Sequence, residues 1–220
     1  QLVTLLGPAG TGKTFLALLA GLDKTLVHDD YQKLLVSRPV VPLGRDIGYL
    51  PGTLEEKLHS WMLPIYDNME FIMHSASMAE HVQDLEQGHD KRKGKRRHRK
   101  EKNGKKTGLA SIDDLVQRGK LSLEAITYMR GRSIPYQFIL IDEAQNLTPH
   151  EVKTIITRVG TGSKVVLVGD PYQIDSPYLD FSSNGLVTAS EKFKGYRIFG
   201  SVFLETSERS SLSQLAGKIL

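Results

Sequence analysis

The eight residues Gly7–Thr14, "GPAGTGKT", constrain this chain more than any other stretch. They fit the spacing G-x-x-x-x-G-K-[ST], directly after the apolar run "QLVTLL" at 1–6 and directly before a segment with apolar positions at Leu16, Leu18, Leu19 and Leu22. Strand, glycine-rich loop and helix in that order make a phosphate cradle. Glycines let the loop curl so that backbone N–H groups face inward, and the following helix adds its positive end. Gly7, Pro8, Ala9, Gly10, Thr11, Gly12, Lys13, Thr14 and Phe15 are therefore the candidate nucleotide-binding residues. Lys13 would reach the β- and γ-phosphates, and the Thr14 hydroxyl would hold Mg²⁺.

Further apolar runs, "KLLVS" at 33–37, "QFILID" at 137–142, "SKVVLVG" at 163–169 and "GSVFLE" at 200–205, alternate with helical patterns. Continuous apolar runs between helices are what strands covered on both faces look like, so the expected fold is α/β with a largely parallel sheet. Thr148 followed by Pro149 and Glu151 predicts a capped helix start over 148–158. Residues 52 to about 87 read as helical, with Pro64 expected to bend or break the helix. The segment 109–136 reads as a short helix and then a strand.

A second carboxylate site should follow on a neighbouring strand, and "FILIDEAQN" supplies it. Asp142 and Glu143 stand at a strand's C-terminal end, where ligands sit in open α/β sheets. Asp142 is the candidate metal ligand beside Thr14, and Glu143 the candidate general base for an attacking water. A base beside the metal ligand favours hydrolysis over transfer to a metabolite. In "VVLVGDPYQID", Gln173 can place an amide near the γ-phosphate, and Arg209 in "ETSERSS" can neutralise transition-state charge there. Their ordinary alternatives are a turn residue and a surface arginine paired with Glu205 or Glu208.

Together "GPAGTGKT", "LVSRPVVPLGRDIGYLPG", "YMRGRSIPYQFILIDEAQNLTPHEVKTIITRVGTGSKVVLVGDPYQID" and "ETSERSSLSQLA" resemble the PhoH-like ATPases, which are similar to the first RecA-like domain of superfamily 1 helicases. The resemblance covers nearly the whole chain except about 75–110. It implies a P-loop NTPase of RecA-like fold that hydrolyses ATP with Mg²⁺, is coupled to single-stranded RNA, and assembles as a homo-oligomeric ring, a hexamer being one candidate. Lys13, Thr14, Asp142, Glu143, Gln173 and Arg209 match its helicase-like positions, and Arg38 matches a further one. The longer members carry an N-terminal PIN nuclease domain, and the abrupt start at Gln1 leads us to expect such a region upstream. The adenine-reading glutamine segment and the second RecA-like domain of the helicases have no counterpart in this sequence, so strand separation would need several subunits. The alternative is a nucleotide-gated assembly module that organises a fused nuclease without unwinding.

Charge is distributed unevenly. Residues 91–106, "KRKGKRRHRKEKNGKK", hold 11 of the 29 Lys and Arg and one of the 25 acidic residues. The rest of the chain keeps 18 basic against 24 acidic groups, so a net +4 divides into +10 here and −6 elsewhere. From Gly88 to Gly108 almost nothing is apolar, so this insertion is expected to be disordered. Without interleaved aromatics it would tether RNA electrostatically or serve as a solvated linker. "RPVVPLGRDIGYLPG", with three prolines and three glycines, makes Arg38, Arg45 and Tyr49 candidates for nucleic-acid or intersubunit contact. Tyr128, Arg130 and Arg132 in "YMRGRS" could stack on a base and pair phosphates. The absence of cysteine excludes disulfides and thiolate zinc sites, and no apolar run approaches the roughly 20 residues of a membrane span, so a soluble cytoplasmic protein is expected.

Overall fold

Period-two alternation within each strand decides the architecture. Leu34, Val36, Phe138, Leu140, Val166 and Val168 point to one buried layer, and Leu35, Ile139, Ile141, Val165 and Leu167 to another. A sheet with both faces apolar must be covered on both, which gives three layers. The computed structural model describes residues 1–39, 59–75, 111–129 and 131–206. Its sheet has six strands: β1 (Leu2–Leu6), β2 (Lys33–Arg38), β3 (Leu121–Ala125), β4 (Gln137–Ile141), β5 (Lys164–Gly169) and β6 (Phe199–Phe203). They lie in the order β3-β2-β4-β5-β1-β6, and every pairing is parallel.

Three helices cover the first face: α1 (Lys13–Leu22), α2 (residues 59–75) and α3 (Ile112–Gln117). They contribute Leu18 and Leu22, Met62, Ile65 and Met69, and Leu115 to its core. The second face is covered by α4 (Pro149–Ile156) and α5 (Gly185–Phe193) through Val152, Ile155, Leu186 and Ala189. The α/β, parallel-sheet expectation is thus met. Among the described residues no helix is long and apolar enough to cross a membrane.

Two local expectations change. Pro64 does not end α2, which runs on to residue 75. A proline deletes one helical N–H, but Met62, Ile65 and Met69 on either side of it are essentially fully buried, and that packing holds the helix through the lost bond. Helix α5 was not anticipated; it starts at Asn184, whose side chain accepts from the Val187 N–H. The basic insertion at 88–108, with Arg45, Tyr49, Arg130 and Arg209, lies outside the described residues.

Parallel strands deliver their C-terminal ends to one side. β1 ends at the phosphate loop, β2 at Arg38, β4 just before Asp142, and β5 just before Asp170. The four central strands therefore bring the phosphate loop, Arg38, Asp142 and Asp170 to one rim.

Candidate active site

The phosphate loop is shaped by backbone that only glycine adopts without strain. Gly12, the N-cap of α1, has φ 78° and ψ 13° in the left-handed region, with nothing near enough to meet an added Cβ. The demand there is conformational. At Gly7 (φ 149°) it is also steric, because a Cβ would sit 2.2 Å from the Leu204 carbonyl oxygen. Within the loop, the buried Lys13 ammonium donates to the Pro8 carbonyl at 2.7 Å and to Thr11 Oγ1 at 3.4 Å. The amine is thereby folded across the cradle that phosphates would fill. Phe15 stands in the first turn of α1, and its ring packs edge-on against Phe71 at 5.8 Å.

Thr14 and Asp142 meet across 128 residues of sequence: the Thr14 hydroxyl donates to Asp142 Oδ1 at 2.7 Å. Register explains the encounter, because the Asp142 N–H donates to the Ser37 carbonyl at 2.9 Å and extends the β2–β4 ladder to the sheet's rim. Asp142 is 3 % exposed, and its pKa is pushed up to about 6, first by removal from water and then by the Glu143 charge. The Thr14 hydroxyl and Arg38 act in the opposite direction without offsetting the burial.

The donor set suits Mg²⁺, a hard cation that takes one or two protein oxygens and completes its shell with phosphate and water. Thr14 Oγ1 and Asp142 Oδ1 are two such oxygens already side by side, and a buried carboxylate that is costly to ionise gains most from a cation. Among the described residues no group of three or more His, Cys, Asp or Glu is placed to hold a metal, so an all-protein cage is not the alternative.

Glu143 follows with φ 50° and ψ 38°, a left-handed conformation that costs a non-glycine residue about 1 kcal/mol or more. The turn begins a short 3₁₀ segment, Ala144–Asn146, and aims the carboxylate at two donors. Arg38 Nη2 donates to its Oε1 at 3.2 Å, and Gln145 Nε2 to its Oε2 at 2.7 Å. The same Gln145 amide donates to the Gln173 carbonyl at 2.9 Å. Gln173 itself is exposed on the turn after β5, so this contact uses its backbone.

Arg38 is brought into the carboxylate pair, with Nε 3.9 Å from Asp142 Oδ2 and only 18 % of its side chain exposed. Its guanidinium also lies over the Trp61 ring, 5.5 Å from the centroid. Tyr128 is half-exposed in the 3₁₀ turn that follows β3, and Arg132 is engaged by the Glu124 carboxylate, which stands level with Ser37 on the neighbouring strand.

Four participants escaped the sequence reading. Asp170 accepts from the Ala9 N–H at 3.0 Å and from the Tyr172 N–H at 3.0 Å, tying the phosphate loop to the turn after β5. Gln145 holds Glu143, Asn146 holds the 175–176 backbone, and Trp61 backs Arg38. A signal existed for Trp61, the single tryptophan of the chain. Gln145 and Asn146 lay inside a quoted motif, but side chains following a strand end have no periodicity to show which way they turn.

Comparisons with known proteins agree with this geometry in extent. The model of the PhoH-like protein family matches residues 1–219. Protein PhoH2 of Bacillus subtilis (strain 168) is 54% identical over 220 residues, all of this chain and 43% of that protein. Protein PhoH2 of Mycolicibacterium smegmatis is 34% identical over all of this chain and 42% of its own length. The PhoH-like protein of Synechocystis sp. is 35% identical over 86% of this chain and 46% of its own. The chain thus spans less than half the length of these curated relatives. Among solved structures, PRRSV helicase aligns at 14% identity and a TM-score of 0.41 over 92% of this chain and 30% of its own. Bacteroides Pif1 bound to ssDNA aligns at 15% identity and a TM-score of 0.36 over 98% of this chain and 41% of its own. Likeness at those scores carries no argument about function, whereas a family match from residue 1 to residue 219, with a phosphate loop facing an Asp-Glu pair, does place the chain: it belongs to the PhoH-like protein family.

Proposed function

We propose that this chain is a Mg²⁺-dependent ATPase whose hydrolysis is coupled to single-stranded RNA, working in a homo-oligomeric ring. One observation carries the hydrolytic part: the Thr14 hydroxyl bonded to Asp142 at 2.7 Å, with Glu143 next in sequence. Two oxygens suited to a magnesium ion and a carboxylate suited to activating water stand at the mouth of a phosphate loop.

In this reading the Lys13 ammonium leaves the Pro8 carbonyl and pairs with the terminal phosphates of ATP. Thr14 and Asp142 hold Mg²⁺, which when bound neutralises charge on the phosphate oxygens. Glu143 takes the proton of the attacking water, and the bond from the terminal phosphorus to its bridging oxygen breaks, releasing ADP and phosphate. Gln173 and Arg209 are the candidates for reporting and stabilising that step. Support for the RNA half comes from the +10 concentrated in residues 91–106, since a phosphate backbone is drawn to such a run.

The test is steady-state phosphate release from ATP with and without single-stranded RNA. Release should depend on Mg²⁺, rise with RNA, and fall at least about 100-fold in Glu143→Gln while nucleotide binding persists, because only the chemical step needs the carboxylate. Wild-type turnover in Glu143→Gln would refute the base assignment. Turnover indifferent to RNA would favour the assembly module.

A further inference from the structure

Glu143 is held by two donors in the contacts it makes here, Arg38 at Oε1 (3.2 Å) and Gln145 at Oε2 (2.7 Å). Proton abstraction requires an oxygen within hydrogen-bond reach of water, and an attacking water must share these oxygens with the two side chains. Gln145 is fully buried and tied to the Gln173 carbonyl, so it is the fixed donor. Arg38 is the one that can leave. Its Nε is buried without a hydrogen-bond acceptor among the described residues, the Asp142 carboxylate standing off at 3.9 Å, and its guanidinium forms part of the wall of a cavity of about 260 Å³.

That cavity lies between β2, α2 and the turn after β4. Its apolar walls are Pro39, Trp61 and Pro64, and its polar edge is Glu143, Asn146 and Asp175. Two carboxylates beside a single arginine repel an anion, which excludes a phosphate as the occupant. Apolar flat walls around an indole suit a planar ring. The Asp175 carboxylate accepts from Asn146 Nδ2 at 3.2 Å through Oδ2, and among the described residues nothing donates to its Oδ1, leaving an acceptor for an amino group. A planar heterocycle carrying an exocyclic amine satisfies each of these surfaces.

We propose that this cavity binds one unpaired nucleobase of single-stranded RNA, stacked on Trp61, and that the base takes the ring face now covered by Arg38 and so withdraws Arg38 from Glu143. The freed Oε1 then meets the attacking water. Arg38 is a positioning residue that keeps hydrolysis low until RNA is bound. Cytosine and adenine, whose amines can meet Asp175, are preferred over uracil. The coupling rests on the reading of Glu143 as the base of an ATPase; the base-binding site does not.

The single tryptophan makes the site directly visible. Titrating the nucleotide-free protein with short oligo(C), oligo(A) and oligo(U) should quench Trp61 emission saturably, with oligo(U) needing roughly tenfold more strand. Asp175→Asn should close that gap. Binding seen by anisotropy of a labelled strand with Trp61 emission unchanged would overturn the site, as would no binding by either method. Quenching by free adenosine equal to that by oligo(A) at the same base concentration would assign the cavity to a mononucleotide and overturn RNA as the occupant. For the coupling, Arg38→Gln should raise RNA-free phosphate release roughly tenfold and abolish stimulation by RNA. A fall in RNA-free release would place Arg38 in the hydrolytic machinery and overturn the coupling. Quenching that survives in a protein releasing no phosphate would sink the ATPase reading and the coupling with it, and uphold the base site.

Discussion

Asp142 shows what a single residue gives up for its position. An ordinary aspartate ionises near 3.8, and this one near 6. Between those pH values the folded chain keeps a proton that the unfolded chain has lost, so stability falls as pH rises from about 4 to about 6 and the loss then stands in full. Asp142→Asn removes the charge and leaves an oxygen to accept from Thr14. Without nucleotide or Mg²⁺, the variant should therefore be more stable than its parent above pH 6, by on the order of 2 kcal/mol, and indistinguishable from it near pH 4. Urea unfolding at both pH values tests this; equal stability at pH 8 would mean that the carboxylate ionises there at no cost. The same variant should lose Mg²⁺-dependent nucleotide binding, a trade of stability for function at one side chain. Lys13, Thr14, Asp142 and Glu143 were legible in sequence because each sits in a local motif with a fixed spacing. The Arg38–Glu143 pair was not, since it depends on two strand ends 105 residues apart arriving at one height on the sheet.

At the scale of elements, the phosphate loop is held by its neighbours as well as by its glycines. Asp170, at the end of β5, ties that loop to the next turn through Ala9 and Tyr172. Asp170→Ala should weaken binding of a non-hydrolysable ATP analogue roughly tenfold and lower stability by about 1–2 kcal/mol, whereas Asp170→Asn, which keeps an acceptor oxygen, should lose less. Calorimetric titration and urea melts of both variants check it; unaltered affinity in Asp170→Ala would show that the tie serves only the turn. Helix α4 was readable in advance because its signals are short-range. The Thr148 side chain accepts from the Glu151 N–H, and the Glu151 carboxylate accepts from the Thr148 N–H, as the capping box requires. Helix α5 follows a polar stretch rich in Asp, Ser and Pro and is nine residues long, too short for its apolar positions at Leu186, Val187 and Ala189 to establish a period. Pro64 does not break α2 for the converse reason: tertiary packing overrides a strong local signal.

For the whole molecule, the basic charge and the candidate active site occupy different parts of the chain. The rim chemistry belongs to a body of net −6, and the basic run belongs to a stretch outside every motif. Deleting residues 91–106 should therefore weaken RNA affinity at low salt by an order of magnitude or more while leaving RNA-free ATP turnover unchanged. Affinity equal to that of the parent at both low and high salt would remove the run from RNA binding altogether.

The sheet order also sets a timetable for the molecule's making. β1 carries the phosphate loop at its end, yet its partners are β5, where Leu2 pairs with Val165, and β6, where it pairs with Phe199. A ribosome moving at 5–20 residues per second needs roughly 10–30 s to get from Leu6 to Gly169. For all that time β1 is an apolar strand with two unsatisfied edges, a state open to wrong pairing. β1 is made well before either of its partners, so the phosphate loop is seated only once β5 and β6 have joined it. The loop that would hold a nucleotide is thereby formed only on a central sheet already assembled.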